Sequence, residues 1–304
     1  MINNTIAAII LTKNEEKHIA RCISSLKEIC DEIFVIDSFS TDRTCEIASE
    51  LGAKIYQHPF ENQARQFNWA IKHCSIDATW IWRVDADEYV EPELKHKILN
   101  IIPQIHSSVN GIYVNKKIIF MGRPLLHGGW YPAQQIKIIR RGYGASENKW
   151  MDEHLIIFSG ETIAVDGDQT DENLNDLTWW TNKHNTYASR EAINMLMIEY
   201  GLDEQGKEVR PRLVGTDAER KRWLKLKYIK APLFVRPLVN FFLRYILKGG
   251  FLDGKEGFIW HILQGFWYRM LVDAKIYELK KHLDYDPAKI KKYLADNYLT
   301  NKGE

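Results

Sequence analysis

A chain of 304 residues, 45% apolar and 27% charged, is long enough for one large domain with an appendage or for two domains, and its globular balance excludes long-range disorder. A net charge of +1 gives no general reason to expect nucleic acid as a partner. The four cysteines (Cys22, Cys30, Cys45, Cys74) form no CxxC pair and read as reduced residues of a cytosolic protein; MINNTIAAIILTKNEE lacks the basic start and cleavage site of a signal peptide.

Ile6–Leu11 is a continuous apolar run, as a strand buried on both faces requires. Residues 15–29 carry Ile19, Cys22, Ile23 and Leu26 at helical spacing. Glu32–Ile36 predicts the second strand; Ser40 or Thr41 can cap the helix after it, and Gly52 ends that helix. Ala53–Tyr56 predicts a third strand, residues 62–73 a helix and Thr79–Val84 a fourth strand. Such alternation with short links implies an α/β fold, a parallel sheet covered by helices, whose ligands gather at the carboxyl ends of the strands. That places Thr12–Glu15, Asp37–Asp42 and Asp85–Glu88 on one rim. Residues 111–165 (GIYVNKKIIFMG, QQIKIIRRG, HLIIFSG) read as strands of a mixed, partly antiparallel region, and residues 216–283 as helical, aromatic and basic.

The stretch WIWRVDADEYV ends an apolar run in three acids, Asp85, Asp87 and Glu88, which repel one another unless a cation is near. In an extended chain Asp85 and Asp87 point the same way, and two hard oxygen ligands with substrate phosphate oxygens suit Mg²⁺ or Mn²⁺. A solvated turn is the plainer alternative. Asp37 can accept a base N–H or a ribose hydroxyl; Thr12, Asn14 and Glu15 can touch the same base, although helix capping by Thr12 or Asn14 fits as well. Neither GxGxxG nor GxxxxGK[ST] follows any strand, which excludes a dinucleotide fingerprint and a P-loop.

TKNEE after strand one, VIDSFSTDRT after strand two and VDADEYV after strand four resemble a family 2 glycosyltransferase of the GT-A fold. ENQARQFNWA, WMDEHLIIFSG, DENLNDLTWWTNKHNTYASREA and KGGFLDGKEGF resemble its bacterial lipopolysaccharide-core and capsule branch, over about residues 4–280. The resemblance implies a Rossmann-like mixed sheet flanked by helices, with residues 1–200 forming the catalytic domain and 201–304 a helical extension. It implies a UDP-sugar donor, with glucose the sugar the branch suggests, a divalent metal, inversion at the anomeric carbon, and a lipopolysaccharide-core or lipid-linked acceptor. Thr12, Glu15, Asp37 and Asp42 then fall on the nucleotide pocket, Asp85 near ribose and metal, and Asp87 on the metal.

Inverting transfer needs a carboxylate to take the acceptor proton, and metal-bound Asp87 cannot serve. KWMDEHL offers Asp152 and Glu153. Family members usually carry Glu-Asp or His-Glu here, so Asp-Glu-His leaves the choice open, with Asp152 slightly favoured. His154 is an orienter, a metal ligand or a packed histidine. Gln63, Arg65 and Gln66 are placed to reach the donor, or simply to line an exposed helix face. In LLHGGWYPAQQ, Trp130 is a sugar platform or a lid, and the two glycines beside it let a ring approach the backbone. His184 and Arg190 are supporting residues.

In PLFVRPLVNFFLRYILKGG, Arg236, Asn240, Arg244 and Lys248 recur every four residues, giving a narrow polar stripe and a wide apolar face. Charges and prolines argue against a membrane span, since each central charge costs roughly 2.5–3.5 kcal/mol to insert. The basic approach ERKRWLKLKYIK adds about 1 kcal/mol per residue of attraction to anionic lipid. A packed helical hairpin competes with an in-plane anchor, and the convergence of charge and aromatics favours the anchor, at the inner face of the cytoplasmic membrane. Two rivals to a transferase are weaker. A nucleotidyltransferase would need a glycine-rich loop after strand one, and a non-catalytic nucleotide-sugar-binding scaffold would not need the acidic motifs.

Overall fold

The structure, a computed structural model, describes residues 4–147, 154–202 and 217–299, and side chains at all of these except 217–222. The chain divides into two compact units, residues 1–175 and 176–304.

In the first unit, β1 (Ile6–Thr12), α1 (Ile19–Leu26), β2 (Glu32–Asp37), α2 (Thr44–Glu50), β3 (Lys54–Gln57), α3 (Gln63–His73) and β4 (Trp80–Asp85) follow the expected order. β1 pairs in parallel with β2 and β4, and β2 with β3. Successive strand residues face opposite ways, so Ala8 and Ile10 pack with Ile19, Cys22, Ile23 and Leu26 of α1, while Ala7 and Ile9 pack with Phe67 and Ala70 of α3. Burial on both faces is why β1 is apolar without alternation. Gly52, at φ 82°, closes α2 in the left-handed region that favours glycine. Neither Ser40 nor Thr41 caps α2: its N-cap is Arg43, without a side-chain bond, and Asp42 one residue earlier accepts the Thr44 amide on Oδ1 at 3.0 Å.

Short β5 (Glu88–Val90) precedes α4 (Pro92–Ile101), a helix outside the expected elements although Pro92 in its first turn and buried Leu94 and Ile98 carry its signal. Next come β6 (Val109–Phe120), β7 (Arg123–Pro124), β8 (Ala133–Arg140), β9 (Gly144–Ser146), β10 (Leu155–Ile157) and β11 (Glu161–Glu172). Among the described residues the main sheet runs β3-β2-β1-β4-β8-β6-β11-β5, with β7 beside β6, and β9–β10 forms a separate antiparallel hairpin. β8 is antiparallel to both β4 and β6, and β11 is parallel to β6. This mixed sheet with flanking helices has the expected GT-A-like architecture.

The second unit is helical: α5 (Leu177–Glu199), α6 (Asp217–Lys230), α7 (Val235–Phe241), α8 (Gly254–Trp260), α9 (Tyr268–His282) and α10 (Pro287–Tyr298). π-helical turns continue α7 through Leu247 and join α8 to α9. Its core joins Ala188, Ala192 and Leu196 of α5 to Val272 and Ile276 of α9 and to Ile290 and Leu294 of α10. The first members of the polar stripe, Arg236 and Asn240, point inward rather than to a headgroup surface, while Lys248 at its end is exposed. Arg236 is buried and its Nε donates to Asp273 Oδ1 of α9 at 2.8 Å, and Asn240 Nδ2 donates to the Gly265 carbonyl at 2.9 Å. A guanidinium facing a buried carboxylate gains more from pairing than from leaving it unpaired. No helix among the described residues is long and apolar enough to cross a membrane.

Candidate active site

Strand register brings the rim together. Thr12 lies opposite Asp37, and Leu11 opposite Asp85, so the carboxyl ends of β1, β2 and β4 finish side by side. The chain runs outward from β1 through β2 to β3 and then returns to the other side of β1 as β4. That reversal is where open α/β sheets place their ligands.

The loops after β1 and β2 are laced to each other. Asn14 N–H donates to Ser40 Oγ at 2.8 Å, Thr41 N–H to Asn14 Oδ1 at 2.8 Å, Glu15 N–H to Thr44 Oγ1 at 2.7 Å and Glu16 N–H to Asp42 Oδ2 at 3.1 Å. Asn14 adopts φ 55°, a left-handed value that asparagine tolerates better than most residues. Asp37 is fully buried and accepts from Thr12 Oγ1 at 3.3 Å and the Ser40 amide at 2.9 Å. Glu15 Oε2 meets His18 Nδ1 at 2.6 Å, and His18 Nε2 accepts the Leu174 amide at 2.8 Å. Thr12, Asn14, Glu15, Asp37 and Asp42 are therefore gathered, and all five take part in the hydrogen bonds that shape the rim. Phe39, 52% exposed between Asp37 and Asp42, is an aromatic that the pattern of acids alone does not single out.

Asp42 is held to α2 strongly enough to titrate unusually. Burial works to raise its pKa, but hydrogen bonds from the Thr44 hydroxyl, the Thr44 amide and the Glu16 amide outweigh burial and leave it below the ordinary aspartate value. A depressed folded-state pKa stabilises the fold above the unfolded pKa of about 3.9 and ceases to do so as pH falls through the folded value. Asp42→Ala should cost about 1 kcal/mol at neutral pH, the usual net loss when hydrogen bonds to partly exposed amides are removed. Urea denaturation across pH 2–7 checks this: the gap between parent and variant should close only below about pH 4.

The acidic turn after β4 solves its charge problem with the protein's own cations. Residues 86 and 87 form a tight turn between β4 and β5, so the period-two geometry expected for Asp85 and Asp87 does not hold there. Glu88 is fully buried; Lys137 Nζ reaches its two oxygens at 2.9 and 2.8 Å, Lys116 Nζ lies 3.6 Å away, and the Asp85 amide donates to it at 3.0 Å. Asp85 lies 4.0 Å from the Arg83 guanidinium and is 25% exposed. Asp87 accepts the Asn173 side-chain amide at 3.1 Å and stays partly exposed. Arg83 is a residue sequence reasoning passed over: it is buried, with Nη2 donating to Gln63 Oε1 at 3.0 Å and Nη1 lying 3.5 Å from Ser146 Oγ. An arginine inside WIWRVD was its only signal.

Asp152 and Glu153 lie outside the described residues. Their flanks are defined: Ser146 pairs with Leu155 across the β9–β10 hairpin, Glu147 N–H donates to the His154 carbonyl at 2.8 Å, and Asn68 clamps Ser146 with bonds of 2.8 and 2.9 Å. The described chain on either side of the acids is thus anchored beside Arg83 and α3. His154 has an exposed side chain, so it is not the packed histidine considered from sequence. Arg65 is 46% exposed and pairs with Glu61 one turn away, whereas Gln63 faces Arg83 and Gln66 is buried, bonding Ser38 Oγ at 3.1 Å. Gly128 and Gly129 have φ of 69° and 74°, backbone that a side chain would strain, and Trp130 next to them is half-buried.

His184 and Arg190 belong to α5 in the second unit and are not brought together. His184 stacks on Trp180 at 3.5 Å, and burial holds its pKa down at about 4, while Arg190 is exposed.

The pattern of glycosyl transferase family 2 matches residues 7–164, just over half of the chain. The chain belongs to this family. The transferase is 41% identical over 118 residues to an uncharacterized glycosyltransferase of Rickettsia felis, an alignment spanning 39% of this chain and 41% of that relative. It therefore spans about two-fifths of the length of the Rickettsia relatives it matches. Over 293 residues, 90% of this chain and 92% of the relative, it is 28% identical to the lipopolysaccharide core biosynthesis glycosyltransferase LpsC of Rhizobium meliloti. Similar solved structures include glucosyl-3-phosphoglycerate synthase from Mycobacterium tuberculosis in complex with Mn²⁺, UDP and glucosyl-3-phosphoglycerate, at 19% identity over 38% of this chain and 44% of that one, with TM-score 0.33.

The transferase's rim fits a hard divalent cation in chemistry. Asp85 and Asp87 are partly exposed carboxylates on one turn, and Mg²⁺ or Mn²⁺ takes one or two carboxylates with water and phosphate oxygens completing its shell. Among the described residues no group of three or more His, Cys, Asp or Glu side chains is gathered to hold a metal, so the substrate's oxygens would complete the set.

Proposed function

We propose that the protein is an inverting transferase moving a sugar, glucose in the first instance, from a UDP-sugar to a lipopolysaccharide-core or other lipid-linked acceptor at the inner face of the cytoplasmic membrane. The observation that carries this reading is the rim: the ends of β1, β2 and β4 meet at the sheet's switch point, with Thr12 and Asp37 on one side and Arg83, Asp85 and Asp87 on the other. Kinship to LpsC along nine-tenths of the chain supports the acceptor class.

In this reading Phe39 and Asn14 meet the base, with the Asp37 and Asp42 loop fixing their position and Arg65 reaching the donor from its exposed site. Asp87, with Asp85, would hold Mg²⁺ or Mn²⁺, with His154 a further ligand candidate; when bound, the ion neutralises charge on the departing diphosphate. Arg83 holds Asp85 and Gln63 in place beneath the turn. Asp152 or Glu153 takes the acceptor proton as its oxygen attacks the anomeric carbon.

Release of UDP from UDP-glucose, with Mn²⁺ and a membrane extract as acceptor source, tests the reading. Asp152→Asn or Glu153→Gln, whichever removes the base, should lower turnover by about 10³-fold while UDP still binds; the other should lose far less. Absence of UDP release from every UDP-sugar tried would reject the transferase reading. Small, equal losses for the two variants would move the base elsewhere.

A further inference from the structure

The segment after Phe234 is an amphipathic helix with its polar side turned in. Four residues advance an α-helix by about 40° beyond a full turn, so a row at that spacing drifts around it. Here the α-helix gives way after Phe241 to a π-helical stretch with wider, i→i+5 turns, which counters the drift. The row beginning at Arg236 consequently faces α9 and the π-helical turns before it, bonding Asp273 and the Gly265 carbonyl. The rows carrying Leu238, Phe242 and Val239, Leu247 face out; Phe251 and Leu252 extend them after the turn. Leu247 is 65% exposed and Leu252 55%. Side chains of this size, contiguous and exposed along one face, exceed the scattered apolar residues normal for a soluble surface.

From Phe234 to Phe258 the exposed charged residues are Lys248 and Lys255; Arg236 and Asp273 neutralise each other inside. An apolar face whose exposed charges are two lysines, with Glu256 beside them only partly exposed, is complementary to an anionic bilayer, where lysines meet headgroups and the apolar rows enter the acyl boundary. A second copy of this chain meeting the same face about a two-fold axis would instead bring the same lysine-bordered surface against itself.

We infer that the outward face of Val235–Leu247, continued by Phe251 and Leu252, is a monolayer-inserting surface for anionic phospholipid, and that the inward Arg236–Asp273 pair fixes this face outward. The inference rests on the membrane-surface part of the proposed function and assigns it to residues other than the basic run 219–230.

Co-sedimentation with phosphatidylglycerol–phosphatidylethanolamine vesicles tests it, with phosphatidylcholine vesicles as the neutral arm. Leu238→Gln, Phe242→Gln and Leu247→Gln together should weaken partitioning about tenfold or more on both vesicle types, since each removes apolar area that enters lipid. Lys248→Glu with Lys255→Glu should weaken binding to the anionic vesicles alone, most strongly at low salt. Both variants should keep the parent's thermal midpoint and its release of UDP without vesicles, which separates failure here from failure of the transferase reading. Undiminished vesicle binding by the triple variant overturns the inference. So does a parent dimer, seen by sedimentation velocity, that the triple variant splits while vesicle binding is absent.

Discussion

Asp87→Ala should reduce UDP release by at least about 100-fold without changing the thermal midpoint. Asp87 is partly exposed in a turn, where its side chain accepts an amide hydrogen bond from Asn173, so little packing is lost with it. The buried lysine Lys137 faces Glu88, and the Asp87 carboxylate stands with that of Asp85 as an oxygen donor at the rim. Removing it withdraws the anchor for the divalent ion at the point where the diphosphate gains charge. Asp87→Asn should be nearly as inactive, since an amide oxygen is a weaker ligand for a hard cation. Near-parent turnover of Asp87→Ala in chelator-treated buffer would end the metal proposal.

Lys137→Met should produce the largest loss of stability, about 3–5 kcal/mol, the usual cost of stranding a buried charge. Glu88 is fully buried and Lys137 is its nearest cation, with two contacts below 3 Å. Lys116 cannot replace it: it stands 3.6 Å from Glu88 and is already committed to Asp171 at 2.8 Å. Gln169 keeps its bond to Glu88, but an amide dipole does not neutralise a carboxylate. Adding Glu88→Gln to Lys137→Met should recover a large part of the loss, because the stranded charge goes with it. Urea denaturation of the two variants measures both terms. A single-variant loss under about 1 kcal/mol would mean that the buried carboxylate is not held by this pair.

Some of the molecule was decided within short stretches of sequence. Ile6–Leu11 is apolar at every position, as a strand buried on both faces of a parallel sheet requires, and the strand–helix alternation after it placed β1 among its neighbours. Ile19, Cys22, Ile23 and Leu26 repeat at helical spacing, and all four are fully buried on α1. Gly52 is a stop because its left-handed backbone is a local property. The motifs TKNEE, VIDSFSTDRT and VDADEYV sit at strand ends by the same local logic, which is why the family and the rim were legible.

The tertiary structure alone decided which partner each charge meets. WIWRVDADEYV poses a cluster of acids needing a cation, but the cations for Glu88 come from Lys116 and Lys137, some thirty and fifty positions away on β6 and β8. Asp42, a pocket candidate in sequence, ties two loops together in space, since the amides it accepts belong to another loop as well as its own. Arg236, Asn240 and Arg244 define a stripe that periodicity detects, yet periodicity carries no direction. Asp273, thirty-seven residues later, turns the stripe inward, because desolvating an arginine is tolerable only against a carboxylate; the apolar rows are left facing out.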